Sequence, residues 1–465
     1  MVLSSTAYFI FLAAIFFLYW PFARVRALGL AAILFANYFL YAKWDLLYLF
    51  LIPAASTCDF FLAWMLDVIR NGIVRRLLVL GSLVLNLGLI ASLKYMPFFL
   101  ENWSTFRGEP APEWRWVFPL GLSFYCFQSL TYTLDVYRRD APATRSLLAY
   151  LSSVSFFPTT LAGPITRVAV LLPQFERKDK TVSPQDNGKA LFVIGLGLVK
   201  KLLIADYLAD NLVNRVFDFP DLYSGTEVLI GVYGYALQLY YDFSGYTDIA
   251  LGSALLLGIK LPANFNRPYA AANIADFWRR WHISLSNWLR DYLYFSLPGK
   301  RSRIMPYFNL TLTMTLGGLW HGASWNFALW GLLHGLGLAV HRLFQAVLGK
   351  RQGGAPARVM ASVVTVQFVC FTWIFFRAAD LAGAQSVLAR IGSGTVSFAN
   401  ISSGVALVLA VAALMHYFPE RWYAWTVDRF TAFPFFAQAA TLVLLALALQ
   451  YLGASGAAPF IYTRF

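Results

Sequence analysis

An all-α polytopic membrane protein, with about eleven to twelve transmembrane helices plus re-entrant and interfacial segments, is the fold class that this 465-residue sequence predicts. Three observations predict it. Hydrophobic residues make up 59% of the chain and charged ones only 13%, about half the charged share of a soluble protein. Apolar runs fit to enter a bilayer recur from end to end. Basic residues collect between the runs on alternate sides, as the positive-inside rule requires. No hydrophilic stretch is long enough for a separate soluble domain, so residues 1–465 read as one transmembrane domain.

The elements follow from the N-terminus. The run Tyr8–Trp20 lacks the basic flank of a signal peptide and is followed by Arg24 and Arg26. It reads as a retained first span with the N-terminus outside. Runs 27–42 and 46–69 go out and return to Arg70, Arg75 and Arg76. Run 77–100 leads to a nearly neutral external loop, 101–116, and run 117–137 returns to Arg138, Arg139 and Arg145. Segment 146–166 is apolar but has basic residues on both sides, and Pro158, Gly163 and Pro164 disfavour a plain helix. A re-entrant segment satisfies both facts. Run 189–205 crosses outward and run 228–258 returns to a basic stretch, 260–303. A helical hairpin over 304–341 comes next, then runs 359–377, 403–418 and 434–453, which leave the C-terminus outside.

The net charge of +14 falls in short loops, so it reads as anchoring at the cytoplasmic face and not as a nucleic-acid footprint. Cys58, Cys126 and Cys370 are far apart and form no C-x-x-C pair. Neither a P-loop nor a G-x-S-x-G elbow is present.

Three constellations could carry chemistry. Segment 274–297 opens with "IADFWRRWHISLSNWLRDYL", in which Ile274, Phe277, Trp278, Trp281, Leu285, Trp288, Leu289 and Tyr292 form one apolar stripe. Arg279, Arg280 and Arg290 lie mostly opposite. The pattern predicts an amphipathic helix at the cytoplasmic interface, with His282 beside the stripe. The stretch "YYDFSGYTDIA" places Asp242 and Asp248 inside an apolar run. Intramembrane carboxylates are candidate functional groups, and a buried polar knot explains them equally well. In "GGLWHGASWNFALWGLLHG", over 317–335, His321 should sit deep in the membrane, roughly 24 Å up the hairpin. Gly317, Gly318 and Gly322 should leave room beside its ring, with Trp320 and Trp325 as walls. That setting suits a general base in a pocket. His334 should lie roughly 20 Å back toward the cytoplasm as a structural residue. No metal-ligand spacing accompanies either histidine.

Together these segments resemble the membrane-bound O-acyltransferase family, in particular its bacterial branch of alginate O-acetyltransferase-type proteins. The motifs are "FFPTTLAGPITR" (156–167), "YYDFSGYTDIALG" (240–252), "PANFNRPY" (262–269), "FWRRWHISLSNWLRDYLY" (277–294), "GGLWHGASWNFALWGLLHG" and the tail "PFIYTRF" (459–465). The resemblance implies a ring of helices around a thin centre with a through tunnel. It implies His321 as the essential catalytic residue and His282 as the second signature histidine. Candidate donor- or substrate-binding residues within the motifs are Trp278, Arg279, Arg280, Trp281, Ser284, Arg290, Asp242, Asp248, Trp320 and Asn326. No bound cofactor is implied; acetyl-CoA would be the cytoplasmic acyl donor. An SGNH-type periplasmic acetyltransferase and a polysaccharide synthase complex are the implied partners, at a bacterial inner membrane. O-acetylation of an exopolysaccharide such as alginate or cellulose is the expected process. A transporter or flippase, or a non-catalytic scaffold, is the competing expectation.

Overall fold

In a computed structural model the described residues are 3–452, apart from 43–45, 115, 117, 120, 162, 178–180, 300–301 and 350–353. The tail motif 459–465 and the basic residues Arg115, Lys178, Lys180, Lys300, Arg301, Lys350 and Arg351 lie outside them. All regular structure among the described residues is helical. Among the described residues, four helices are long and apolar enough to cross a membrane: Leu47–Val68, Gly72–Arg107, Trp325–Leu348 and Ala355–Arg377. Ser403–His416 and Glu420–Ala432 form a pair bent by 94°, and Thr6–Phe22, Arg26–Ala42, Leu147–Leu161 and Phe435–Tyr451 are shorter apolar helices. The larger number of expected crossings counts helices of about this shorter length. A 17-residue helix rises roughly 26 Å, slightly under a hydrocarbon core of about 30 Å. Bare apolar faces, such as Leu77, Leu80 and Val84 or Val340, Phe344 and Val347, are the surfaces a membrane protein offers to lipid.

The chain divides into two compact units. The first comprises residues 1–194 with 249–262. Its helix Gly72–Ile90 runs on through a wider turn, Ala91–Tyr95, into Met96–Arg107, so part of the expected external loop is helical. The apolar segment 146–166 is built from two short helices, Leu147–Val154 and Phe157–Leu161. Neither is long enough to cross. The break is held by Asn37, whose amide nitrogen donates to the Ser152 carbonyl at 3.2 Å and to Ser155 Oγ at 3.1 Å, while its oxygen accepts from Phe157 N–H at 2.9 Å. Broken backbone inside an apolar medium needs such partners. A buried carboxylate that sequence reading passed over, Asp59, accepts from Ser82, Asn86 and Ser129 at 2.6–2.7 Å.

The second unit comprises 195–248 with 263–465. Its centrepiece is the hairpin of Met305–His321 and Trp325–Leu348, joined by a three-residue turn. The two helices touch backbone to backbone. A Cβ on Gly318 would strike the Phe327 carbonyl, one on Gly331 the Met314 carbonyl, and one on Gly335 would lie 2.6 Å from Thr311 Cα. The expected single amphipathic helix over 274–297 is broken. Ile274–Arg280 ends at Trp281, and Ile283–Trp288 begins after His282, which is in the left-handed region with φ of 41°. Its apolar stripe is mostly buried in protein, so lipid is not what covers it.

Candidate active site

The backbone that carries His282 is clamped to the loop containing Asn264. Asn266 N–H donates to the Arg280 carbonyl and Ile283 N–H to the Asn264 carbonyl, each at 2.9 Å. The turn so formed aims a fully buried imidazole into the second unit. Its Nδ1 lies 3.2 Å from Asn264 Oδ1, and its ring packs edge-on against Phe243 with centroids 4.7 Å apart. Burial pushes the His282 pKa down, to about 3, because a charged imidazole loses its hydration there.

His321 is the last residue of the hairpin's rising helix and is also buried. Its ring meets Trp320, Trp330 and Phe376 at centroid distances of 5.0, 5.2 and 5.4 Å. The imidazoles of His282 and His321 come together with centroids 6.4 Å apart, and Trp320 lies 6.2 Å from His282. Two residues 39 positions apart in sequence thus share one buried site.

The surroundings of His321 differ from the expectation. The glycines do not leave space. Leu289 Cδ1 occupies the position 2.9 Å from a Cβ on Gly317, the returning helix covers Gly318, and the Phe327 ring covers Gly322. Trp325 is 60% exposed and walls nothing. His334 is nearer than expected. Both imidazoles pack on Trp330, at 5.2 and 4.8 Å, so their centroids lie within about 10 Å of one another. The expected separation of roughly 20 Å assumed a straight helical rise across the hairpin turn. The structural reading of His334 holds at the level of its bonds. Trp278 Nε1–H donates to His334 Nδ1 at 3.2 Å, so the neutral ring carries its proton on Nε2 and donates to Thr372 Oγ1 at 2.9 Å.

A cavity of about 330 Å³ lies in the same unit, lined by neither His282 nor His321. Trp278, Arg279, Leu289, Arg290, Met314 and Arg342 are among its lining residues. Met314 lies seven residues before His321 on one helix, about 10 Å along its axis. Leu289 stands between, since it lines the cavity and also packs on Gly317, one helical turn below His321. Three arginines at the mouth of a mostly apolar space can hold an anionic head while the walls accept an apolar chain.

The remaining candidates separate. Ser284 donates through its backbone N–H and its hydroxyl to Asn264, at 3.2 and 2.8 Å, beside His282. Arg280 turns away to Asp276 at 2.9 Å, and Trp281 packs against Phe265, Phe277 and Trp373. Asn326 donates to the Ala378 carbonyl. Asp242 pairs with Lys201 at 2.5 Å and Asp248 with Lys200 at 2.6 Å, while Lys201 also meets Asp206 at 2.7 Å. Asp242 is therefore part of a buried ionic knot with Lys201 and Asp206, and Asp248 forms a separate, half-buried pair with Lys200. Sequence reading missed Asn264, Arg342 and both lysines. The signal for the lysines was present, as an adjacent pair inside the apolar run 189–205.

Comparison with known proteins bears on this site. The family model of the membrane-bound O-acyltransferases matches residues 38–381. The chain is 38% identical to the probable alginate O-acetylase of Azotobacter vinelandii, over 90% of this chain and 83% of that one. It is 36% identical to the peptidoglycan O-acetyltransferase of Helicobacter pylori, over 79% and 74%. The teichoic acid D-alanyltransferase of Bacillus subtilis is 28% identical, over 68% and 83%.

Proposed function

Because the chain belongs to the membrane-bound O-acyltransferase family, we propose that it passes an acetyl group from cytoplasmic acetyl-CoA to a hydroxyl of an extracytoplasmic acceptor. The process served is O-acetylation of an exported polysaccharide. That the protein is an O-acyltransferase of a multi-pass membrane family rests on the family match and on relatives named as O-acetyltransferases. The donor, the acceptor and the sidedness are the proposal. The observation that carries it is the pair of buried imidazoles 6.4 Å apart, in the unit that also holds a cavity lined by three arginines.

In this reading Arg279, Arg290 and Arg342 meet the phosphates of the donor. The pantetheine chain enters the apolar part of the cavity, and the thioester passes Leu289 to reach the histidines. His321 takes the proton from the acceptor hydroxyl as its oxygen attacks the thioester carbonyl. The new C–O bond forms, the C–S bond breaks, and the departing thiolate takes a proton to leave as free CoA thiol. His282 holds or relays the proton. Burial suits this chemistry, because a dry site keeps water from hydrolysing the thioester.

The relatives are named for alginate, peptidoglycan and teichoic acid. A hydroxyl of an extracytoplasmic polymer is the acceptor feature common to these names. The acetyl group reaches that polymer directly or through a periplasmic SGNH-type acetyltransferase, with a polysaccharide synthase complex nearby. The transporter reading loses its main support, since Asp242 and Asp248 are neutralised by adjacent lysines.

The test supplies radiolabelled acetyl-CoA to the cytoplasmic face of membrane vesicles from the cells that make the protein. Free thiol release and label in the polymer fraction are followed. His321→Ala, at normal membrane levels, should lower transfer by roughly 10²–10⁴-fold. Full activity in that variant would overturn the mechanism.

A further inference from the structure

We propose that Asn264 is a positioning residue that locks neutral His282 into the tautomer with its proton on Nδ1, leaving the lone pair on Nε2. The inference rests on the reading of His282 as part of the transfer site.

The chain of donors fixes the answer. A backbone N–H can only donate, and that of Ser284 points at the Asn264 side chain at 3.2 Å. The atom it meets must therefore be the amide oxygen, not the amide nitrogen. Ser284 Oγ donates to the same oxygen at 2.8 Å, much closer than its 3.5 Å approach to His282 Nδ1. The hydroxyl proton is thus committed to Asn264. His282 Nδ1, 3.2 Å from that oxygen, can bond to it only by donating. A neutral imidazole has one N–H, so Nε2 is the basic nitrogen. The backbone supports the same alignment. Ile283 N–H donates to the Asn264 carbonyl, and His282 itself adopts φ of 41°, so the ring and its acceptor are fixed from both sides.

A specific failure follows when the acceptor is removed. In Asn264→Ala the Ser284 hydroxyl is released and can donate to Nδ1 instead. That bond selects the opposite tautomer, with the proton on Nε2. The site would keep both imidazoles but present an N–H where a base is needed. Ser284→Ala alone leaves the bond to Asn264 in place. The double variant Asn264→Ala with Ser284→Ala removes the misdirecting donor, so both tautomers become available again.

The full-length protein is assayed in the same vesicles with radiolabelled acetyl-CoA, each variant adjusted to equal membrane amount. N264A should lower kcat by about tenfold or more with little change in the KM for acetyl-CoA. The double variant should exceed N264A, and N264D, which keeps the acceptor, should also exceed N264A. A merely structural Asn264 predicts the reverse order, with the double variant no better than N264A, and that order overturns the assignment. Unchanged kcat in N264A overturns it as well. His282→Ala and His321→Ala run alongside separate the two levels. If they remain active, the reading of the transfer site falls and this assignment with it. If they are inactive while N264A is normal, only the role of Asn264 falls.

Discussion

His282 and His334 are both fully buried, yet their bonds differ in kind. His334 has a donor on one nitrogen and an acceptor on the other, as a packing histidine should. His282 meets Asn264 through Nδ1 and faces His321 across 6.4 Å. The depressed pKa of His282 makes a pH prediction. The folded imidazole takes up no proton until about pH 3, whereas an unfolded one does so near 6.5. Between those values the unfolded state binds more protons, so stability falls as the pH drops through that window. His282→Asn can keep a donor toward Asn264 and removes the titration. Thermal unfolding of detergent-solubilised protein should show a larger fall in Tm from pH 7.5 to 5 for wild type than for His282→Asn. Equal falls would mean that the ring is not held neutral.

At the scale of the element, glycines shape the hairpin. Gly318 and Gly331 lie where the facing helix presents backbone carbonyls, which cannot rotate away as a side chain can. Gly318→Ala should therefore destabilise by about 3 kcal/mol, at the upper end of overpacking costs. Gly81→Ala is the control. That glycine lies in the helix Gly72–Ile90 with nothing within 4 Å of an added Cβ, so alanine there should be neutral or slightly stabilising. Unfolding midpoints in one detergent check both, and a neutral Gly318→Ala would show that the helices are not in contact. The same glycines mark a boundary of sequence reading. An apolar run rich in glycine is legible as a membrane helix, but whether the missing side chain makes a pocket or a helix contact depends on the opposite element. The break at Ser155–Phe156 was legible because Pro158 and two further breakers are local. The break at Trp281–His282 was not, because the apolar spacing continues through it and the left-handed residue is held by Asn264, 18 positions earlier. The pairing of Asp242 and Asp248 with lysines 41 and 48 positions away was hidden for the same reason. The histidine pair was legible only as two motifs, and their meeting is a tertiary fact.

For the whole molecule, the distribution of charge predicts how the second unit faces the membrane. The stretch 260–303 and the cluster around Arg342 and Arg358 are basic, which predicts a cytoplasmic position for them. On that orientation the cavity with Arg279, Arg290 and Arg342 should open toward the cytoplasm, where the proposed donor acetyl-CoA would be supplied. The helix Ala355–Arg377 leads away from that side, so the segment 393–402 should be extracytoplasmic. There the buried Glu227 carboxylate accepts from the backbone N–H groups of Ser224 at 2.8 Å and of Asn400 at 2.8 Å, which fixes the loop. Single cysteines test the arrangement. Ser302 and Ala399 are both exposed, and of the native cysteines Cys126 and Cys370 are buried while Cys58 lies within an apolar helix. Ala399→Cys should react with a membrane-impermeant maleimide in intact spheroplasts, and Ser302→Cys only after the membrane is opened. The reverse pattern would turn the cavity away from the cytoplasm and overturn a cytoplasmic donor, whatever the histidines do. Labelling of both from outside would mean that the helix Ala355–Arg377 does not cross at all, although its 23 residues rise roughly 35 Å, more than a bilayer core requires.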